Sequence, residues 1–533
     1  MATLPQDPNT PNLTRAESGY SSEGKVDVEQ REFASAVPGV ETIAEDNDQV
    51  GYATFKAAQD RGYEPTPEES KRVLRKIDLF ILPIFTFTQC LQFMDKSALN
   101  YANLFGYQKA LGLKGSNYSW LGGGFYVGYL VAQFPMGYLL GRFPAGRVLG
   151  VSCLIWGLLV LLSTQAKDFK SAMTVRILLG MMEAVVTPGL NLMTGFWYTK
   201  RETPNRQTLW YSALGLGGII GGFIATGISK RESTPAIPNW AVIFWILGAI
   251  TMAWALVLYF VLADSPSKAF WLNEDQKFIA VQRVSAGMVG IKSKKFKISQ
   301  VKAAFLDPKT YLLFIATFAT SIPTGVLSNF STVIIRDIGF DSFETTLMDV
   351  VRNVFQMIGV IGAGYIATRF KNTRIIMCTF GNVVCITAAA CLAYLPASAK
   401  WARLVALWFT NFQSIGFVLG LVMISSNIGG YTKKQFTSGL IFVAYCAGNI
   451  AGPQFVYSHE APRYRTATNA MVASYSIKTL AHLLLGAYMF WDNKRRDRKS
   501  GGIIDEKRGA EAGMLDVTEV STGPSHVDRT SQS

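Results

Sequence analysis

Apolar residues in this chain fall in long blocks rather than in amphipathic stripes. Between Lys76 and Trp491, mostly apolar stretches alternate with short polar segments holding Lys, Arg, Pro or Gly. A hydrocarbon core about 30 Å thick needs about 20 consecutive apolar residues per helix. Each stretch therefore predicts a membrane-spanning helix, the element that satisfies its own backbone in lipid. The predicted helices are 76–98, 117–140, 148–166, 171–196, 207–228 and 239–262, then 310–335, 345–367, 375–395, 402–425, 437–457 and 470–491. The longest polar interval, 263–309, separates two groups of six. The expected fold is an all-α, polytopic membrane protein with twelve transmembrane helices in two pseudo-symmetric six-helix bundles. Residues 71–262 and 310–495 form the bundles, and 263–309 is a cytoplasmic loop. Residues 1–70 and 496–533 are polar tails that composition predicts to be disordered and cytoplasmic.

An internal repeat supports the halving. GYLLGRFPAGR, Gly137 to Arg147, follows the second predicted helix, and GYIATRFKNTR, Gly364 to Arg374, follows the eighth. Gly, Tyr, Arg, Phe and Arg coincide, and each copy holds the same place in its half. Duplication of a six-helix unit accounts for both features.

Composition agrees with a lipid setting: 17% of residues are charged, against about 25% in soluble domains. The formal charge is +14, but its basic residues sit in loops, so it reports topology and not nucleic acid. With the amino terminus inside, inner segments hold 28 Lys and Arg and outer ones 11. The positive-inside rule then places both termini in the cytoplasm. No cleavable signal peptide is legible, and the first helix is expected to direct insertion. Six cysteines, all in apolar segments and without metal-ligand spacing, read as small core residues. No nucleophile–base pair or metal cluster points to an enzyme. No cofactor is expected beyond a proton gradient, and the chain is expected to act as a monomer in the plasma membrane. Asn117-Tyr118-Ser119 is a glycosylation sequon that abuts the second helix too closely for ready use.

Charges inside predicted helices are few, and each costs about 2.5–3.5 kcal/mol at mid-membrane. Those that stand out are Asp95 and Lys96, Arg176 and Glu183, Asp349 and Arg352, and Lys478 and His482. A seven-residue spacing returns Arg176 and Glu183 to within about 20° of one helix face, about 10 Å apart along the axis. Two acids able to exchange protons, beside two bases able to hold an anion, suggest a proton-coupled carrier of an organic anion. Asp95 and Glu183 are the proton-coupling candidates; Lys96 and Arg176 are the substrate-binding ones. Asp349 and Arg352, three apart, can pair locally, and with Gly137, Arg142 and Arg147 they are gating or structural candidates. Tyr126, Tyr129, Trp210, Tyr211, Asn411, Gln413 and Asn449 are further candidates for the cavity wall. GLGGIIGG from Gly215 and AGNIAGPQ from Ala447 read as close-packing stripes.

Several stretches then carry a resemblance: FMDKSALNYAN from Phe93, NYSWLGGGFYVGYLVAQFP from Asn117, RILLGMMEAVVTPG from Arg176, GFWYTKRE from Gly195, ADSPSKAFWL from Ala263, QVKAAFLDPKTYLLF from Gln300 and GNIAGPQF from Gly448. Over residues 71 to 495 the chain resembles the major facilitator superfamily. Within it the chain is similar to the anion:cation symporter family, in its fungal allantoate permease-like branch. The resemblance implies a central cavity lined by helices one, four, seven and ten, and proton-coupled carriage of organic anions. It also implies proton roles at Asp95 and Glu183 and anion or acid contacts at Lys96 and Arg176. Lys96 replaces a frequent Arg and loses its planar fork. Gly141 replaces the usual Asp of the loop signature. Uptake of allantoate, a vitamin or another small carboxylate by alternating access is the expected function. Export of a secondary metabolite and a transporter-like nutrient sensor are the alternatives.

Overall fold

The computed structural model describes residues 66–199, 202–234, 236–286, 298–370, 373–428 and 431–499. The tails up to residue 65 and from residue 500, read as disordered, lie outside the described residues, as does the stretch 287–297 of the central connection. Among the described residues all regular structure is helical. The first half holds α1 (Pro67–Leu104), α2 (Asn117–Arg142), α3 (Ala145–Leu162), α4 (Phe169–Glu183), α5 (Val186–Trp197), α6 (Thr203–Ser229) and α7 (Asn239–Val261). The connection carries α8 (Glu274–Ala286) and α9 (Ile298–Phe305). The second half holds α10 (Pro308–Gly339), α11 (Ser342–Arg369), α12 (Arg374–Tyr394), α13 (Lys400–Phe409), α14 (Gln413–Asn427), α15 (Tyr431–Ala451) and α16 (Arg465–Lys499).

Ten of these stretches are long and apolar enough to cross a bilayer, α4 with α5 and α13 into α14 each counting as one. The α2 and α15 helices complete the twelve. Their hydropathy is diluted, in α2 by its glycines and tyrosines and in α15 by Lys433, Lys434 and Gln435. Both pack on neighbours of the bundle, α2 against α4 and α15 against α10. Large apolar side chains such as Phe134, Phe260 and Phe490 cover the outside, each more than 70% exposed. Such a surface is stable in lipid and an aggregation liability in water.

Helix pairings repeat between the halves. The α1 helix packs on α6 and α7 as α10 packs on α15 and α16; α3 packs on α7 as α12 packs on α16; α2 packs on α4 as α11 packs on α13 and α14. The halves meet through α6 on α11, α2 on α15 and α1 on α10. These pairings exchange under one two-fold axis, so the two six-helix bundles are pseudo-symmetric. The repeat found in the sequence ends equivalent helices alike. Phe143 and Phe370 are both extended C-caps, whose N–H groups donate to Leu139 and Ile366 carbonyls at 2.9 and 3.0 Å.

Some boundaries differ from the predicted ones. The first helix starts at Pro67, before predicted residue 76, because Thr66 and Glu69 form a capping box and Pro67 fits the first turn. The fourth span is two helices, broken at Ala184–Val185. Pro188 has no N–H for the Ala184 carbonyl and restarts the helix in its own first turn. The tenth span, its symmetry mate, passes through a 3-10 turn at Thr410–Phe412. The central connection is docked rather than free. Trp271 stacks on Phe80 at 4.7 Å and on Trp197 at 5.4 Å, and Arg283 pairs with Glu202 at 2.6 Å.

Glycine sets the approach of α4 to α2. A Cβ on Gly180 would strike the Phe125 carbonyl, and one on Gly128 the Ile177 carbonyl. Gly180→Val is expected to cost about 1–3 kcal/mol or more by overpacking. Gly137→Ala, where a Cβ meets nothing within 4 Å, is expected to leave the thermal melting point of the purified protein unchanged. Equal melting points for the two variants would refute this packing.

Candidate functional site

Four charged side chains stand on α1 and α4, and three of them, Asp95, Lys96 and Glu183, meet at the break that ends α4. Glu183 ends α4 at the break and is fully buried. Lys96 reaches it from α1, Nζ to Oε2 at 3.8 Å, which is beyond a hydrogen bond. With both acids ionised, neither carboxylate oxygen of Glu183 has a hydrogen-bond partner. Gln92, one turn before Lys96, donates to the Glu183 backbone carbonyl at 3.4 Å, a carbonyl left open by the break. Lys96 lies 5.5 Å from the Phe125 ring centroid and 5.6 Å from that of Tyr129, both on α2. Its side chain keeps 16% exposure.

Asp95, the residue before Lys96 on α1, also reaches the Glu183 carboxyl, so the two acids lie side by side. It is 2% exposed and accepts a hydrogen bond from Trp156 Nε1 of α3 at 3.2 Å. Arg176 sits two turns before Glu183, buried, with one guanidinium nitrogen lacking any partner. Arg176 and Lys96 act on Asp95 through their charge, and Glu183 through a side-chain hydrogen bond. The cluster therefore holds two acids and two bases without one closed, fully bonded ion pair. Such a loose arrangement can exchange partners. Outside the span, Asp168 and Ser171 cap the start of α4, and those hydrogen bonds hold the Asp168 carboxyl below its ordinary range.

A second network joins the halves at the side opposite the chain ends, here the far side. Asp349 of α11 pairs with Arg352 Nε at 2.7 Å and accepts from Ser331 at 2.9 Å and from Tyr101 of α1 at 2.9 Å. Asn100 donates to Ser331 at 2.8 Å and accepts from the Thr332 hydroxyl at 2.8 Å. Arg352 donates to Asn411 at 2.9 Å, and Asn411 returns a bond to the Arg352 carbonyl at 3.1 Å. Gly218 and Gly222 of α6 complete the seam, where a Cβ would collide with Asn353 and Val350. The GLGGIIGG stripe is thus an interface between the halves.

A sequence model of the Major Facilitator Superfamily matches residues 85–453. The chain belongs to the major facilitator superfamily. It is 30% identical to an allantoate permease of Saccharomyces cerevisiae over 507 residues, covering 92% of each chain. It is 33% identical to an uncharacterized transporter of Schizosaccharomyces pombe, covering 91% of each. It is 30% identical to the thiamine pathway transporter THI73 of Saccharomyces cerevisiae, covering 87% of each. These relatives place it in the fungal allantoate permease-like branch, as a multi-pass membrane transporter and not an enzyme. A crystal structure of a D-xylose-proton symporter matches the fold with a TM-score of 0.59 and 12% identity, over 76% of this chain and 97% of that one. An inward-facing bacterial homologue of the lysosomal transporter Spinster matches at 0.58 and 14%, over 80% and 99%.

Within the superfamily frame the other predicted residues take varied places. Tyr126 meets Tyr445 of α15 edge to face at 5.7 Å, so it spans the two halves. Trp210 is fully buried and stacks on Tyr211 at 4.1 Å. The Tyr211 hydroxyl faces Asn191 at 3.5 Å. Asn411 is engaged by Arg352, and Gln413 accepts from Tyr475 of α16 at 3.0 Å. Asn449 donates to its own helix at the Tyr445 carbonyl, leaving its Oδ1 unpartnered. Around it, Gly448 and Gly452 let α15 press on Phe318 and Ile322 of α10. Arg142 bonds Tyr138 on the exposed helix end, and Arg147 is exposed. In that loop Asp264 holds the Gly146 N–H at 2.8 Å and caps α3. Asp264, Trp156, Gln92, Asn100 and Tyr101 were not among the predicted site residues; only their polarity in or beside apolar segments marked them.

Proposed function

We propose that this transporter is a proton-coupled symporter of a small organic anion, with Glu183 as the proton carrier and Lys96 as the group that links proton to substrate. The carrying observation is the 3.8 Å Lys96–Glu183 contact, in which a partly exposed cation faces a fully buried acid. An arriving carboxylate draws Lys96 toward the cavity, with Arg176 as the second cation. Glu183 then stands without its counter-charge, and an uncompensated buried charge costs about 3–5 kcal/mol. A proton on Glu183 removes that cost. Substrate and proton therefore favour the same state, which is a coupling free energy and reciprocal by linkage. Asp95, held by Trp156, keeps Arg176 and Lys96 positioned and is the second acid of the relay.

The substrate class follows from the paired cations and from the relative named for allantoate. The Asp349–Tyr101–Asn100 network acts as the far-side gate, which parts when the halves rock; Gly137, Arg142 and Arg147 flank the gate of the opposite side. Both termini lie in the cytoplasm, the protein works as a monomer in the plasma membrane, and a reporter fused after residue 290 is expected to score as cytoplasmic. An extracellular score would invert the direction of transport. The functional test is uptake of a panel of labelled acids and ureides in a transporter-deficient yeast. At least one carboxylate is expected to accumulate, faster at acid than at neutral external pH, and to be released by a protonophore. Uptake indifferent to both would contradict the reading.

A further inference from the structure

We propose a second anion-binding position inside the carboxy-terminal half, where Lys478 and Thr320 face one cavity and would hold a small, singly charged anion. Lys478 of α16 is fully buried. Among the described residues it pairs with no carboxylate; its ammonium donates to the Gln413 backbone carbonyl at 2.8 Å. That leaves donor capacity on an ammonium with three N–H groups. The head lines a cavity between α10, α14 and α16, together with Thr317, Thr320, Gly416, Phe417 and His482. Thr320 is 3% exposed, and its hydroxyl has no partner. Two observations on different helices thus point into the same space: an ammonium without an acid and a buried hydroxyl without an acceptor.

Gly416 makes the arrangement possible. A Cβ there would lie 2.8 Å from Lys478 Cε and 2.9 Å from Nζ, so glycine lets the lysine head lie directly against α14. The hydroxyl and the ammonium both donate to an anion. His482 turns one ring nitrogen, Nδ1, to the Lys478 carbonyl at 2.9 Å, with Asn382 beside it at 3.3 Å. The remaining wall, Leu313, Ala316 and Phe417, is apolar, which penalises a divalent ion far more than a monovalent one. One chemistry, a single negative charge needing two donors, fits both a free inorganic anion and the carboxylate of a transported acid.

The test uses the full chain purified in detergent. Thermal melting is followed while sodium chloride, and separately sodium acetate, is titrated into wild type, Lys478→Gln and Thr320→Val. Comparing proteins in the same salt removes the general effect of ionic strength. Wild type is expected to gain stability saturably. Lys478→Gln is expected to raise the half-saturating concentration at least about tenfold, as loss of one charged hydrogen bond does. Thr320→Val is expected to raise it by a smaller factor. A response to chloride assigns a free inorganic ion, and a response to acetate alone assigns the substrate carboxylate. If Lys478→Gln does not fold, Thr320→Val decides the matter alone. Superimposable titrations of wild type and the folded variants would overturn the proposal and leave Lys478 as a packing peg for Gln413.

Discussion

Glu183→Gln is expected to abolish accumulation of substrate against a gradient while leaving exchange intact. The substitution keeps the shape of the side chain and removes the only titration at that point of α4. In wild type, an anion carried with one proton concentrates about tenfold per unit of pH gradient, since a factor of ten is worth about 1.4 kcal/mol. In the variant that ratio is expected to fall to one. Counterflow, which needs binding and rocking but no net proton movement, is expected to persist, because a neutral amide leaves Lys96 free to hold substrate. The measurement is pH-driven uptake and counterflow side by side in proteoliposomes. Loss of both would mean that Glu183 holds the structure or the substrate rather than the proton.

Tyr101→Phe is expected to shift the transporter toward the state open on the far side. Its hydroxyl donates to Asp349 across the seam, and a hydrogen bond to a charged group contributes about 1.5–3 kcal/mol. Losing it moves a two-state equilibrium by roughly ten- to a hundredfold. Asp349→Ala is a harsher change. It strips Arg352 of its acid and also frees Ser331, at about 3–5 kcal/mol for the broken buried pair. That variant is expected to lose folded protein, whereas Tyr101→Phe remains folded. Ser97, buried one turn deeper on α1, offers the probe. In Ser97→Cys, labelling by an impermeant thiol reagent from the far side is expected to quicken about tenfold or more when Tyr101→Phe is added. An unchanged rate would mean that the network does not govern opening.

The spans were legible because lipid leaves the sequence few options: apolar blocks of sufficient length must be helices. The halving was legible from GYLLGRFPAGR and its second copy, and the matched caps at Phe143 and Phe370 give that repeat a structural meaning. The charged cluster was legible as a list, since a charge in an apolar block is conspicuous. Its wiring was not. The seven-residue spacing put Arg176 and Glu183 on one face and left their partners open; the cation facing Glu183 is Lys96, from another helix. The helix break after Glu183 redirects the chain there, and Pro188 is its visible trace. Asn411 and Gln413 stood out as amides able to shape a cavity; their neighbours, Arg352 and Tyr475, were not legible, because helical periodicity alone does not tell which side chain an amide will meet. Tyr101 and Trp156 passed unnoticed because tyrosine and tryptophan are ordinary core residues until a carboxylate is found beside them.

The central claim is that substrate and proton move together through the Lys96–Glu183 contact. The most direct measurement is internal pH in proteoliposomes, recorded with a trapped dye when an acid transported in the uptake panel is added outside. Wild type is expected to acidify the interior in step with labelled uptake, and Glu183→Gln to exchange substrate without any acidification. Uptake by wild type with no pH change, or acidification undiminished in Glu183→Gln, would contradict the account.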